Sequence, residues 1–324
     1  MKPKILLTGK NGQVGAELAR LLPPLAEVIA LDRRDLDLSK PDEIRRMIRE
    51  HCPQIIVNAA AYTAVDLAEK EEELALAING HAPSVMAEEA KKIGAALVHY
   101  STDYVFDGSK SSPYDENDPP SPLSAYGRTK LAGERAIESI GVPHLIFRTE
   151  WVYATGGRNF LLTILRLATQ REELRIVRDQ TGCPTWCRDI AAATTKVLAQ
   201  LIEKDPQNPA AAIAAVSGAY HMTSAGQTTW HEFATAILEE GAQVPATTPW
   251  FRAATGGKPL IARRVVPITT SEYPTPARRP AYSVLSNVRI SRVFGLQMPD
   301  WRTSLHSAFA AGKSGGAIQS PPPG

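Results

Sequence analysis

Cysteine is scarce in this 324-residue chain: Cys52, Cys183 and Cys187 make three, an odd number that cannot pair completely. The spacing of Cys183 and Cys187 lacks the second ligand pair a structural zinc requires. We therefore expect free thiols, a reducing cytoplasmic setting and no metal. Long apolar runs are missing too. Nowhere does one approach the roughly 18 residues of a membrane span, and the N-terminal apolar stretch is too short for a signal peptide. Charge of one sign is not in excess, for the net charge is +2 with no basic run. No membrane and no nucleic acid are expected as partners. No internal repeat is evident.

What is present begins at once. Ile5-Leu6-Leu7 is a wholly apolar run, as a parallel strand buried on both faces should be. Gly9, Gly12 and Gly15 follow, allowing a tight turn, close backbone approach to a ligand, and close packing of a helix over about 14–22. That helix would aim its free amides and positive end at a pyrophosphate. A second strand, Val28 to Leu31, ends in Asp32-Arg33-Arg34. An acidic residue there suits the ribose hydroxyls of NADH, whereas arginines suit the extra phosphate of NADPH. Both are present, so the choice stays open with a lean to NADPH.

Strand and helix patterns then alternate. Further strands are predicted at Ile55 to Asn58, Leu97 to Ser101, His144 to Phe147 and Leu174 to Val177, with helices at about 42–51, 74–93, 125–140 and 160–170. This is the signature of an α/β fold, a Rossmann-type doubly wound parallel sheet. We expect a dinucleotide-binding domain over about 1–180, interleaved with a smaller, mainly C-terminal substrate lobe over 181–312. Asp205 to Gly218 reads as a surface loop, Thr248 to Pro280 as proline-rich and irregular, and 313–324 as a disordered tail.

Ligands bind such sheets at the carboxyl ends of the strands. Ala59, Ala60 and Ala61 lie at one such end, small enough for ribose and nicotinamide to rest against the backbone. Another end carries Thr102, and the helix that follows carries Tyr126 and Lys130, four residues apart and so on one face. A nearby ammonium would bring the phenol below its ordinary pKa of about 10. Tyr126 could then protonate a carbonyl oxygen that Thr102 holds in line, while Lys130 grips the nicotinamide ribose.

Together these segments resemble the extended short-chain dehydrogenase/reductases. More narrowly, Gly12-Gln13-Val14-Gly15, Asn58 to Asp66, Ser101 to Phe106, Arg148-Thr149 with Trp151-Val152-Tyr153, and Tyr273 to Pro280 are similar to the dTDP-4-dehydrorhamnose reductases. The resemblance implies Tyr126 as proton donor, Thr102 as the residue that tunes it, and Lys130 as a cofactor ligand. It adds Gly12, Gln13, Val14, Asp32, Asp37, Leu38, Ala61, Tyr62 and Thr63 as cofactor contacts, and Thr102, Asp103 and Trp151 as contacts to a dTDP-sugar. The implied reaction reduces the 4-keto group of dTDP-4-dehydro-6-deoxy-L-mannose.

Related dehydratases carry an Asp-Glu pair after the threonine, whereas Tyr104 follows Asp103 here. Elimination is thereby disfavoured, and Tyr104 with Trp151 could pack on a deoxyhexose. Glu150 and Asn287 depart from the family pattern. Arg188 stands where some members have an acid that, with one like Glu17, bridges a magnesium between subunits, so monomer and homodimer both stay open. Two alternatives remain, a sugar-nucleotide epimerase of the same superfamily and a non-catalytic regulatory subunit like that of methionine adenosyltransferase.

Overall fold

The computed structural model describes residues 2–311, so the tail expected at 313–324 lies outside the described residues. A six-stranded sheet forms the centre. Strands β1 (Lys4–Thr8), β2 (Glu27–Leu31), β3 (Ile55–Asn58), β4 (Ala96–Thr102) and β5 (His144–Thr149) run in the order β2-β1-β3-β4-β5, and Gly218–His221 completes the far edge. Every pairing is parallel.

Alternate residues of β1 show why the apolar runs are unbroken. Ile5 and Leu7 pack on one face with Leu18 of helix α1 (Gln13–Leu21) and Ile190 of the helix Cys187–Lys204. Leu6 faces the other way, with Ile44 and Ile48 of α2 (Pro41–His51) and Val85 and Met86 of a longer helix. Both faces are therefore dry, as a doubly wound sheet requires.

Between β3 and β4 come α3 (Val65–Ala68), α4 (Glu72–Leu76), a π-helical turn at Ala77–His81, and α5 (Ala82–Ile93). Helix α6 (Ala125–Ile140) joins β4 to β5. The chain order reverses between β1 and β3, so the crevice for a ligand opens where Gly9 and Ala59 meet.

Two expectations are corrected. Leu174–Val177 does form a strand, within Glu173–Val177, but it pairs with Arg264–Ile268 in a separate parallel ribbon and takes no part in the central sheet. Asp205 to Gly218 is not a surface loop throughout. Asn208 caps a helix at Pro209–Ala214 whose Ala210, Ala212 and Ile213 are buried, and Gly218 starts the sixth strand. Among the described residues, no helix is long and apolar enough to cross a membrane.

Candidate active site

The turn after β1 is closed by Gly12 N–H donating to the Gly9 carbonyl at 2.9 Å. Gly9 has φ +78°, and a Cβ there would stand 2.8 Å from the Ala60 nitrogen. A Cβ on Gly15 would stand 2.0 Å from the Gly9 oxygen, so this glycine lets α1 press on the turn. At Gly12 the nearest atom is the Gly9 oxygen at 3.2 Å, leaving that backbone open to a ligand. No side chain caps α1 and no acid sits in its first turn. Its first amides and positive end are free for a pyrophosphate.

Around this turn the expected contacts fall into two groups. Asp32 accepts from Asn11 Nδ2 at 3.1 Å and from Arg34 N–H at 2.8 Å; the latter bond chiefly holds its carboxyl below the ordinary range. Arg33 is exposed beside it, Gln13 Oε1 accepts from Asn159 Nδ2 at 3.1 Å, and Val14 packs against the core. Asp37, by contrast, spends its carboxylate on Ser39, and Leu38 is buried in the core. Ala59, Ala60 and Ala61 line the opposite lip, and Thr63 beyond them is exposed. Tyr62 donates its hydroxyl to Glu71 at 2.6 Å.

One residue of this lip was not singled out from sequence. The π turn aims Asn79 at Tyr62, accepting from its N–H at 2.9 Å and donating to its carbonyl at 3.0 Å. A π turn interrupting a helix is a recurrent device at functional sites. Here it pins the β3 loop beside the crevice.

The residues expected to act on a carbonyl oxygen lie at the end of β4 and on α6. Thr102 is buried, donates Oγ1–H to Asp103 Oδ1 at 2.9 Å and caps a short turn by accepting from Tyr104 N–H at 3.2 Å. Ser124 caps α6 and so places Tyr126 in its first turn, with its phenol close to Thr102. Crowding by protein atoms pushes Tyr126 up to about 12, opposed by the nearby Thr102 hydroxyl and reinforced by Asp103. Lys130 does not offset this. Its Nζ donates to the Tyr100 carbonyl at 2.6 Å and meets His99 Nε2 at 3.2 Å, and burial brings it down to about 8. The expectation that Lys130 lowers the tyrosine is thus not realised in this arrangement.

Asp103 has a neighbour that the sequence hid. Glu150, fully buried, accepts from Cys183 N–H at 3.0 Å and Ser283 Oγ at 3.2 Å with one oxygen, and from Leu285 N–H at 3.3 Å with the other. Burial raises both carboxyls, Asp103 to about 6, and the charge of Asp103 raises Glu150 further. A second carboxylate therefore does stand near Thr102, supplied from β5's end and not from the position after Asp103. Both its oxygens are tied to donors, so it is no free acid or base for elimination.

Of the expected sugar contacts, Thr102, Asp103 and Tyr104 follow one another at the end of β4, and Trp151 comes just after β5, the strand paired with it. Tyr104 meets Tyr126 edge-on with ring centroids 5.6 Å apart. Trp151 has φ +45° and stacks on Trp230 at 3.5 Å. Asn287 exchanges two hydrogen bonds with the Thr223 backbone, donating to its carbonyl at 2.7 Å, which an aspartate could not do. Glu17 faces Arg20 at 2.8 Å and Arg188 at 3.5 Å. Cys183 and Cys187 are buried free thiols.

With this geometry in view, the kinships are informative. Residues 2–313 match the family described as the RmlD substrate binding domain. A dTDP-4-dehydrorhamnose reductase of Burkholderia thailandensis is 52% identical over 302 residues, covering 93% of this chain and 96% of that protein. One of Escherichia coli K12 is 42% identical over 305 residues, with 93% and 95% covered. The crystal structure of the Bacillus anthracis dTDP-4-dehydrorhamnose reductase in complex with NADP superposes with a TM-score of 0.82 at 33% identity, covering 96% of this chain and all of that one. The chain belongs to the dTDP-4-dehydrorhamnose reductase family of oxidoreductases.

Proposed function

We propose that this protein uses NADPH, with NADH as a second choice, to reduce the 4-keto group of dTDP-4-dehydro-6-deoxy-L-mannose to dTDP-L-rhamnose in the cytoplasm. The observation that carries the reading is the approach of Tyr126, in the first turn of α6, to Thr102 at the end of β4, at the same strand-end edge as the glycine turn and separated from β1 by β3 alone. The cradle fits a dinucleotide: added Cβ atoms at Gly9 and Gly15 would close it, and α1 leaves its first amides free. The B. anthracis relative's complex with NADP agrees with that choice.

The first turn of α1 binds the pyrophosphate, Asp32 and Arg33 flank the adenosine ribose, and Ala59 to Thr63 support the nicotinamide half. When bound, the reduced nicotinamide supplies the hydride that reaches C4. Thr102 orients the carbonyl oxygen, and Tyr126 gives it the proton, so that C4–H and O4–H form together. A phenol at about 12 is a reluctant donor but keeps its proton until an alkoxide develops. Asp103 takes a sugar hydroxyl through Oδ2, which is buried and has no partner, while Tyr104 and Trp151 cover the deoxyhexose.

Loss of nicotinamide absorbance with this substrate tests the reading, using Tyr126→Phe as control. The expected result is turnover reduced about 100-fold or more in the variant with cofactor affinity retained. Cofactor binding without net consumption in the unaltered protein would favour an epimerase or a binding subunit.

A further inference from the structure

A buried chain of hydrogen bonds crosses the sheet behind the site. Thr8 on β1 donates to Asn58 Oδ1 at 2.7 Å, Asn58 Nδ2 faces His99 Nδ1 at 3.1 Å, and His99 Nε2 faces Lys130 Nζ at 3.2 Å. All four residues are at most 2% exposed. We infer that His99 is a positioning residue that holds Lys130 as a neutral amine, with His99 Nε2–H donating to the Nζ lone pair while Nζ donates to the Tyr100 carbonyl.

Donor and acceptor accounting carries the argument. The Ala60 N–H also points at Asn58 Oδ1, at 3.3 Å, and a backbone N–H can only donate. That fixes the orientation of the amide, so Nδ2 is the atom facing His99 and Nδ1 of the ring must accept. The ring proton is then on Nε2, directed at Lys130. An ammonium has no lone pair, and two N–H groups would oppose each other there; an amine accepts.

The surrounding charges agree. Glu134, one turn along α6, is the carboxylate acting on Lys130, and Arg148 already binds it at 2.6 Å and 3.0 Å. From β4 come only the neutral His99 and the Tyr100 carbonyl, and Asp103 acts on Tyr126. Burial holds the imidazole well below its ordinary range, so it does not charge in place of the lysine. His99 thus parks Lys130 on the Tyr100 carbonyl. A ribose hydroxyl entering the cradle competes with His99 for Nζ, and the lysine takes up a proton as it turns to it. This last role rests on the reductase reading, whereas the resting state of Lys130 does not.

Two NMR titrations without cofactor or substrate test the resting state. In 15N-histidine protein, with His99→Phe to assign the signal, His99 should show the Nε2–H tautomer. In protein labelled at lysine Cε, assigned with Lys130→Arg, Lys130 should titrate below neutral pH, because burial brings it down to about 8 and the His99 bond favours the amine further. His99→Gln, whose amide oxygen can accept from an ammonium, should raise that midpoint by about one pH unit or more. The pH at which NADPH affinity changes should move with it, by linkage. An Nδ1–H tautomer, or a wild-type Lys130 midpoint at or above the value of about 8 that burial gives, would overturn the inference whether or not the protein reduces the sugar.

Discussion

Gly15→Ala tests the cofactor cradle at its tightest point. The added methyl would stand 2.0 Å from the Gly9 carbonyl oxygen and 2.7 Å from its carbon, both backbone atoms that cannot rotate away. Relief demands that α1 and the turn separate by roughly 1 Å, an overpacking cost of about 1–3 kcal/mol. For chains somewhat smaller than this one each kcal/mol lowers Tm by about 2–4 °C, so the shift here should be at the low end of that scale or below it. Binding should suffer more than stability, because the displaced amides are those that would meet the pyrophosphate. Hydrogen bonds to charged groups contribute about 1.5–3 kcal/mol each, so misplacing two should weaken NADPH about 100-fold or more. The assay is fluorescence titration of NADPH alongside calorimetric Tm. Gly141→Ala is the control: its φ of +68° imposes strain, yet no atom lies within 4 Å of the new Cβ. It should lower Tm slightly and leave affinity within about twofold. If Gly15→Ala binds NADPH as the wild type does, the cradle has been misplaced.

Other outcomes follow from buried groups. Glu134→Leu strands the Arg148 guanidinium, whose carboxylate partner is 1% exposed, and should cost about 3–5 kcal/mol by denaturant titration; a loss under about 1 kcal/mol would contradict this account of the pair. A thiol reagent should modify only Cys52 in the native protein and all three cysteines after denaturation, because Cys183 and Cys187 are buried and burial raises both thiols. Fast native modification of a second thiol would contradict it. Asp103 is held up to about 6 against an ordinary value of 3.8, so the folded state keeps a proton that the unfolded chain releases as pH rises from about 4 to 6. Its contribution to stability therefore falls across that window, and Asp103→Asn should gain in Tm on the wild type between pH 4.5 and pH 7.5. A difference independent of pH would count against the raised carboxyl.

Local signals made much of this legible. Apolar runs mark β1 and β3, whose residues are buried on both sheet faces, and Gly9 and Gly15 stand where an added Cβ would meet backbone within 3 Å. The Tyr126 to Lys130 spacing placed both on one helix face, although its electrostatics were misjudged: a shared face does not say where a lysine's Nζ ends. The helix Pro209–Ala214 carried its own signal, an asparagine cap before a proline at the first turn, which an alanine-rich composition masked. Contacts across the chain were not legible. Glu150 meets Asp103 only because β5 lies beside β4, and His99 meets Asn58 through the register of β3 and β4. Likewise, Glu173–Val177 reads as a sheet strand until its partner, some 90 residues on, is known.

The central claim is a hydride delivered to C4 with rhamno configuration. NADPH deuterated at both nicotinamide C4 hydrogens, incubated with the protein and dTDP-4-dehydro-6-deoxy-L-mannose, tests it in one NMR spectrum of the product. The account predicts one deuterium, at C4 of dTDP-L-rhamnose. Label at another carbon, a product epimeric at C4, or unlabelled sugar with no cofactor consumed would contradict it.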